Sequence, residues 1–435
     1  MPQKNRGKTK KKAKARTKTP PFSNSVPPAP PVEPEATAPA TNDVLAEDSL
    51  RDILGRLSVA DLLRAALACH RWRRAASRCL PRSAPLLGYF FHPSEPGLPP
   101  PQTFCKDSDT HAAFAPFGPS SPRLSLDFAP NSDRYVICDS HQGLLLLESV
   151  MKQPDGTLPR FLVLDPASRR RVLLPAPPRH TLPDDRRWRG SRHYAGCALL
   201  SRTHPGPGGL CFEAVCFTID GGHPRAWVAS FDDGKCVWRA LPRATDIDVD
   251  FDPYWFETSC VHAAGNLYWH ICNSARVLAL DPATLRFSYL LAPDIYDCST
   301  LRVGETPEDG RLCILAVANE GTQLQLWVRG KSRRSDNGWV LGREIMDMDV
   351  VYDAVPGLPE HDQKHRSICV WPSDMDAART GKAFIRTWGY GRYSFDLNTR
   401  KMERLVTKRG KNYGHPMFAY FPAWPPAFLA APDQH

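Results

Sequence analysis

Three groups of residues have types and spacings that could do chemistry. The run "DIDVDFDPYWFE" alternates acids at Asp246, Asp248, Asp250 and Asp252 and puts Glu257 where a calcium-binding loop carries its last ligand. Such a loop needs Gly at its sharp central turn, but Phe251 stands there and no helical pattern flanks the run. The segment therefore reads as an exposed acidic loop. Its Tyr254, Trp255 and Phe256 either pack on the fold or contact a bound target, as aromatic residues do at interface hot spots. His361, His365 and Cys369 recur at helical spacing, which would put three potential metal ligands on one face. Pro359 and Pro372 bracket them, so a solvated loop is the expected setting. His141, His262 and His270 stand in strand-like contexts, where structural histidines are usual. No G-x-S-x-G, H-E-x-x-H, Walker loop or dinucleotide fingerprint occurs. Nothing in the sequence assembles a nucleophile, a base and an orienting group. The expectation is a chain with no catalytic residue, no metal and no cofactor.

Elements positioned by such a sequence must be mostly strands and turns. The 43 prolines among 435 residues are roughly twice the usual ~5 %, and Pro is excluded from helix interiors and central strands. The net charge of +10 is a property of the tail. Lys4, Arg6, Lys8, Lys10, Lys11, Lys12, Lys14, Arg16 and Lys18 carry nine positive charges with no acid among them, and the rest is close to neutral. That charge distribution implies no basic groove on the folded part. The 13 cysteines include no C-x-x-C, which argues against a zinc ribbon or a redox motif and for free thiols in a reducing compartment. No apolar run reaches the ~18 residues of a membrane span, and the basic N-terminus lacks the apolar stretch of a signal peptide.

Three regions follow. Residues 1–41 are basic and then Pro/Ala-rich, with too little apolar surface to offset ordering entropy. They read as a disordered extension or a nuclear-targeting patch, and nucleic acid could be touched only through them. Residues 42–84 change texture. Asp48 is placed to cap a first helix carrying Leu50, Ile53, Leu54 and Leu57, and Ser58 with Asp61 caps a second carrying Leu62, Leu63, Ala66 and Leu67. A third short helix holds Trp72, Ala75 and Ala76. A unit of about 40 residues rarely buries a sufficient core alone. Its surplus of apolar side chains must be covered by the following domain or by another protein.

The run from Leu45 to Trp72, with Asp48, Leu50, Ile53, Leu54, Arg56, Leu57, Leu62, Leu63, Cys69 and Arg71, resembles the F-box motif at its usual spacing. The family usually carries Pro at the places of Ala46 and Ser58. The resemblance implies docking onto the Skp-type adaptor of a cullin–RING ubiquitin ligase through Leu45, Leu50, Ile53, Leu54, Leu57, Leu62, Leu63 and Trp72.

Residues 85–435 read as short strands separated by turn residues. Turn signals fall at Asp165-Pro166-Ala167-Ser168, Asp233-Gly234, Asp281-Pro282-Ala283-Thr284, Asn337-Gly338 and Asp396-Leu397-Asn398-Thr399, each between two apolar strands. Units of this length suggest a radial β array, with a sandwich as the alternative. The order of helical box then β repeats looks like the kelch-related, F-box-associated β-propellers of plants. The expected fold is thus mainly β: a three-helix F-box followed by a propeller of about six blades. The stretch "HPMFAYFPAW" is expected to pair with "LLGYFFH" and close the ring. Two functions fit this reading. One is a non-catalytic substrate-recognition subunit of an SCF-type ligase, reaching a cullin through the adaptor and working in nucleus or cytoplasm. The other is a non-ligase propeller interaction protein whose basic tail contacts nucleic acid.

Overall fold

The computed structural model describes residues 46–81, 84–93, 111–119, 121–129, 134–149, 158–177, 194–202, 210–250, 255–257, 259–272, 274–293, 301–306, 309–318, 322–330, 338–359, 369–376, 380–407, 410, 412–426 and 429. Leu45, Tyr254, His361, His365, Asn337 and the basic tail lie outside the described residues.

Helices α1 (Glu47–Gly55), α2 (Val59–Ala66) and α3 (His70–Cys79) come first. Ser58 is the N-cap of α2, its hydroxyl accepting the Asp61 N–H at 3.2 Å. Asp48 does not cap α1. The N-cap falls two residues earlier, at Ala46, with no side-chain bond there, and Glu47 and Asp48 lie in the first turn. Their carboxylates still favour the positive end of the helix dipole.

Six sheets follow, and the chain enters the ring in the sixth. Strands β1 (Gly88–Phe91) and β2 (Ala113–Pro116) belong to that last blade. Blade 1 is β3 (Tyr135–His141), β4 (Leu144–Ser149), β5 (Phe161–Asp165) and β6 (Arg170–Leu173). Blade 2 is β7 (Tyr194–Arg202), β8 (Phe212–Asp220), β9 (His223–Asp232) and β10 (Lys235–Ala240). Blade 3 is β11 (Val261–Ala263), β12 (Asn266–Trp269), β13 (Arg276–Asp281) and β14 (Arg286–Leu291). Blade 4 is β15 (Arg302–Glu305), β16 (Leu312–Ala318), β17 (Gln323–Arg329) and β18 (Trp339–Asp347), after which comes α4 (Met348–Asp353). Blade 5 is β19 (Val370–Asp376), β20 (Lys382–Thr387), β21 (Arg392–Asp396) and β22 (Met402–Arg404). Finally β23 (Phe418–Tyr420) pairs with β1, Gly88 opposite Tyr420 and Phe90 opposite Phe418, so blade 6 is built from both ends of the ring.

The four turns that lie within the described residues, at Asp165, Asp233, Asp281 and Asp396, have one structural job: each joins the third and fourth strands of a four-stranded blade. In three of them an Asp carboxylate holds the turn. Asp165 Oδ1 accepts the N–H groups of Ala167 and Ser168, Asp281 Oδ1 that of Ala283, and Asp396 Oδ1 those of Asn398 and Thr399. Each turn then ends in one left-handed residue, at Arg169, Leu285 and Arg400. At Asp233-Gly234 both residues have positive φ, as a two-residue hairpin matching strand twist requires.

The residue patterns grade outward from the axis. Middle strands such as "LLLLES" and "FLVLD" are buried along their whole length, because each blade is covered by a neighbour on both faces. Outer strands alternate or are charged, like "RRVL" and "KCVWRA", and the charges blunt the free edge. Apolar cores fill the gaps between blades 1 and 2, 2 and 3, 3 and 4, 4 and 5, and 6 and 1. Among the described residues no apolar cluster joins blades 5 and 6. That seam is held instead by the Tyr89 hydroxyl donating to Asp376 at 2.8 Å, by His415 on Asp374 at 3.0 Å and by the Tyr89–Phe384 ring contact.

Tyr420 is fully buried, its ring edge-on to Phe90 and its hydroxyl donating to the Gly143 carbonyl of blade 1. Tyr420→Ala is expected to cost about 3–5 kcal/mol, the usual range for emptying an aromatic core site. Leu173→Ala on the exposed β6 should stay within about 0.5 kcal/mol. Urea unfolding midpoints of the two variants check this.

Candidate functional site

Two surfaces qualify, at opposite ends of the molecule. The first is the helical module. Its core interlocks Leu50 and Leu54 of α1, Leu62 and Ala66 of α2, and Ala75 and Ala76 of α3, all fully buried or nearly so. The alanines let the helices approach closely. Leu63 and Trp72 are half-buried against this cluster. The eight residues expected to face an adaptor therefore divide. Leu50, Leu54 and Leu62 build the module, because their helical spacing turns them to the shared interior. Ile53 (43 % exposed) and Leu57 (37 %) stand on its outside, and so does Leu67 (63 %), which was not among the eight. The signal for Leu67 was there: it is the last apolar side chain after α2 and has no inner partner to meet.

The module's other side is covered by the chain's own end. Leu429 joins the helical core, and the Trp424 indole N–H donates to the Pro81 carbonyl at 2.9 Å. The C-terminal segment reaches it across one face of the ring. A Cβ on Gly143, in the β3–β4 turn with φ +78°, would meet the Ala423 nitrogen at 3.1 Å, so the turn and the tail need glycine there. In an antiparallel meander the first-to-second and third-to-fourth turns share one end of every blade. The helices thus attach to that end, and the second-to-third turns and the connections between blades form the opposite, free face.

The free face is the second surface. The β10–β11 connection that carries the acidic run lies there, and among the described residues its acids form no cluster that could hold a cation. Asp250 pairs with Arg276 at 2.6 Å, Asp246 and Asp248 are exposed, and Glu257 is turned into the interior. Trp255 is 43 % exposed and remains a surface aromatic. Phe256 does not: it bridges to Ile271 and packs edge-on to Phe217, buried in the core between blades 2 and 3. Trp388, in the β20–β21 turn, is exposed on the same face. Cys369, from the expected His/Cys group, is buried in the core of blades 4 and 5.

Behind this face lies a buried polar network. The Arg302 guanidinium contacts Glu257 at 3.0 Å and donates to the Ser373 carbonyl at 2.6 Å. His270 Nε2 accepts the Val303 N–H at 3.0 Å, which leaves the ring proton on Nδ1, 4.0 Å from Glu257. Burial, and then the positive charge of Arg302, hold His270 down to about 4. Burial alone would raise Glu257, but Arg302 and His270 bring it below its ordinary value. Arg386 and Arg392 stand opposite each other on β20 and β21, and burial lowers them to about 10 and about 9. Arg386 Nε and Arg392 Nη1 are buried without a hydrogen-bond partner, with the Trp371 ring under Arg386. The nearby Asp374 carboxylate offsets part of this buried positive charge, and one nitrogen of each guanidinium stays without a hydrogen bond.

A family profile described as "F-box-like" matches residues 47–81. A second, "F-box protein AT5G49610-like, beta-propeller", matches residues 136–428, more than half of the chain. The chain belongs to the AT5G49610-like family of F-box β-propeller proteins. Proteins of this make-up are usually non-catalytic adaptors, and the F-box implies binding of a Skp-type adaptor. Among curated proteins none matches this F-box protein. Among solved structures it is similar to a chain of a nidogen/laminin complex (12 % identity, 76 % of this chain and 97 % of that one, TM-score 0.36). It is also similar to the Myceliophteria thermophila Cps50 (Swd1) β-propeller domain (13 % identity, 60 % and 69 %, TM-score 0.31) and to a luciferin-regenerating enzyme (9 %, 62 % and 77 %, TM-score 0.35). At these TM-scores the likenesses are distant and add nothing to the fold of this F-box protein.

His270 takes up a proton near 6.5 when unfolded but only at about 4 in the fold. Between those values protons favour the unfolded chain, so stability falls as pH drops through that window, by about 3 kcal/mol in all. Urea unfolding at pH 7 and pH 4.5 should show the loss, and His270→Gln should flatten it.

Proposed function

We propose that this F-box protein is the substrate receptor of an SCF-type cullin–RING E3 ubiquitin ligase. The helical module docks a Skp-type adaptor, and through it a cullin, while the free propeller face holds a protein target. The observation that carries the reading is the division of the helical leucines. Leu50, Leu54 and Leu62 supply a core, and Ile53, Leu57 and Leu67 remain as an uncovered apolar set on a module whose far side is already tied to the ring. The receptor's contribution is effective concentration: it keeps a lysine-bearing target beside an activated thioester and makes no bond itself. Trp255 and Trp388 are the aromatic anchors on the target side. The basic residues before Pro20 suit nuclear import, so the receptor works in nucleus and cytoplasm.

Co-purification of the adaptor with the wild-type chain and with Ile53→Asp plus Leu57→Asp tests the docking. Both positions are exposed, so circular dichroism and melting should be unchanged while adaptor recovery falls at least tenfold. Equal recovery from both chains, or none from either, overturns the proposal.

A further inference from the structure

Around the central channel, Asp139, Cys260 and His262 each bring one ligand-type atom to within 4.8 Å of the other two. Asp139 comes from blade 1, and Cys260 and His262 come from blade 3. A β-bulge between Ile137 and Asp139 in β3 re-aims Asp139 toward the channel. Cys260 immediately precedes β11, and His262 lies within it. Asp139 is held from behind, its Oδ2 accepting the Leu199 N–H of blade 2 at 2.6 Å and its Oδ1 the Ser140 N–H at 2.7 Å. His262 Nε2 stands 3.0 Å from both carboxylate oxygens, and the His141 ring stacks on His262 at 4.1 Å. The three residues line a channel cavity of about 130 Å³, and His262 and His141 also border a wider one of about 450 Å³ under the helical module.

We propose that Asp139, Cys260 and His262 form a divalent transition-metal site for which zinc is the fitting ion, with the fourth position open to the cavity. The donor set of carboxylate, thiolate and imidazole is one that zinc takes in tetrahedral geometry. The 3.0 Å separation of His262 Nε2 from the Asp139 oxygens is close to the ~3.3 Å between two ligands bound at about 2.0 Å and a tetrahedral angle. The two backbone N–H groups on Asp139 are the outer-shell bonds that fix a ligating carboxylate. The Cys260 thiol completes the set, its sulfur within 4.8 Å of the other two donor atoms. When the ion binds, the Cys260 S–H bond breaks, the sulfur pair binds the ion and one proton leaves to solvent. Bound this way, the ion rivets blade 1 to blade 3 across the innermost strand of blade 2.

The full-length protein, stripped by a chelator and dialysed, is titrated with Co²⁺ and with Zn²⁺. Expected are one ion per chain, a thiolate-to-Co²⁺ charge-transfer band, release of one proton and a higher melting temperature. Cys260→Ser should abolish the band. His262→Gln and Asp139→Asn should weaken binding by at least about 100-fold, the upper end of what losing an outer-shell partner costs. Each variant's metal-free melting curve shows that it is folded, and the partly exposed His262 makes its variant the most tolerant. Binding unchanged in His262→Gln overturns the site. So does a band that survives Cys260→Ser but is lost in Cys197→Ser, which would place the ion at the neighbouring Cys138–Cys197 pair, whose sulfurs lie 2.9 Å apart.

Discussion

A ring of sheets packed face to face would leave two apolar faces in water unless its last blade meets its first. Here the meeting is made by three residues of β23 set against β1. Tyr420 and Phe418 from the late strand and Phe90 from the early one enter the same core as Leu145, Leu147 and Leu162 of blade 1. The closure accounts for much else in the molecule. It brings both ends of the ring to one face, which puts the helices there and leaves the other face open. It also fixes where the polar seam falls, on the far side of the blade that both ends build.

The division between the faces has a physical logic. Each blade is covered by a neighbour on both faces, so its middle strands carry no freedom for recognition. The free face is made of connections, which are under no such demand and can carry an exposed Trp255 or Trp388. Between the two, the channel wall takes polar groups, because the innermost strands are too close to one another to fill the axis with large side chains and too buried to leave charges alone. Arg302, Glu257 and His270 settle that by pairing across blades 3 and 4. Further out, on the second and third strands of blade 5, Arg386 and Arg392 each keep one buried nitrogen without a hydrogen bond.

Much of this was legible in the chain. The strand-turn-strand units were readable because an Asp that accepts from the backbone two and three residues on is a local device, independent of the rest of the fold. The pairing of "GYFF" with "FAY" was readable because both are aromatic runs without a local partner. What could not be read was which side a residue faces once two elements share it. Phe256 looked like Trp255 and is core, since only the Ile271 bridge decides its side. Leu54 looked like Leu57 for the same reason. The Asp139–Cys260–His262 group was invisible for a different one. Asp139 is separated from Cys260 and His262 by a whole blade, and no spacing rule links residues that meet only across a channel.

Leu429 in the helical core has a consequence for the order of events during synthesis. The helical module leaves the ribosome before the ring, yet its interior is completed by Leu429, which follows the ring's closing strand. The closing strand β23 is made only just before it. A nascent or prematurely ended chain therefore lacks the ring's final strand and the last piece of the docking module at the same time. Completion of the target-holding part and completion of the ligase-facing part are tied to the same few residues, so a half-made receptor is also a poorly finished adaptor ligand.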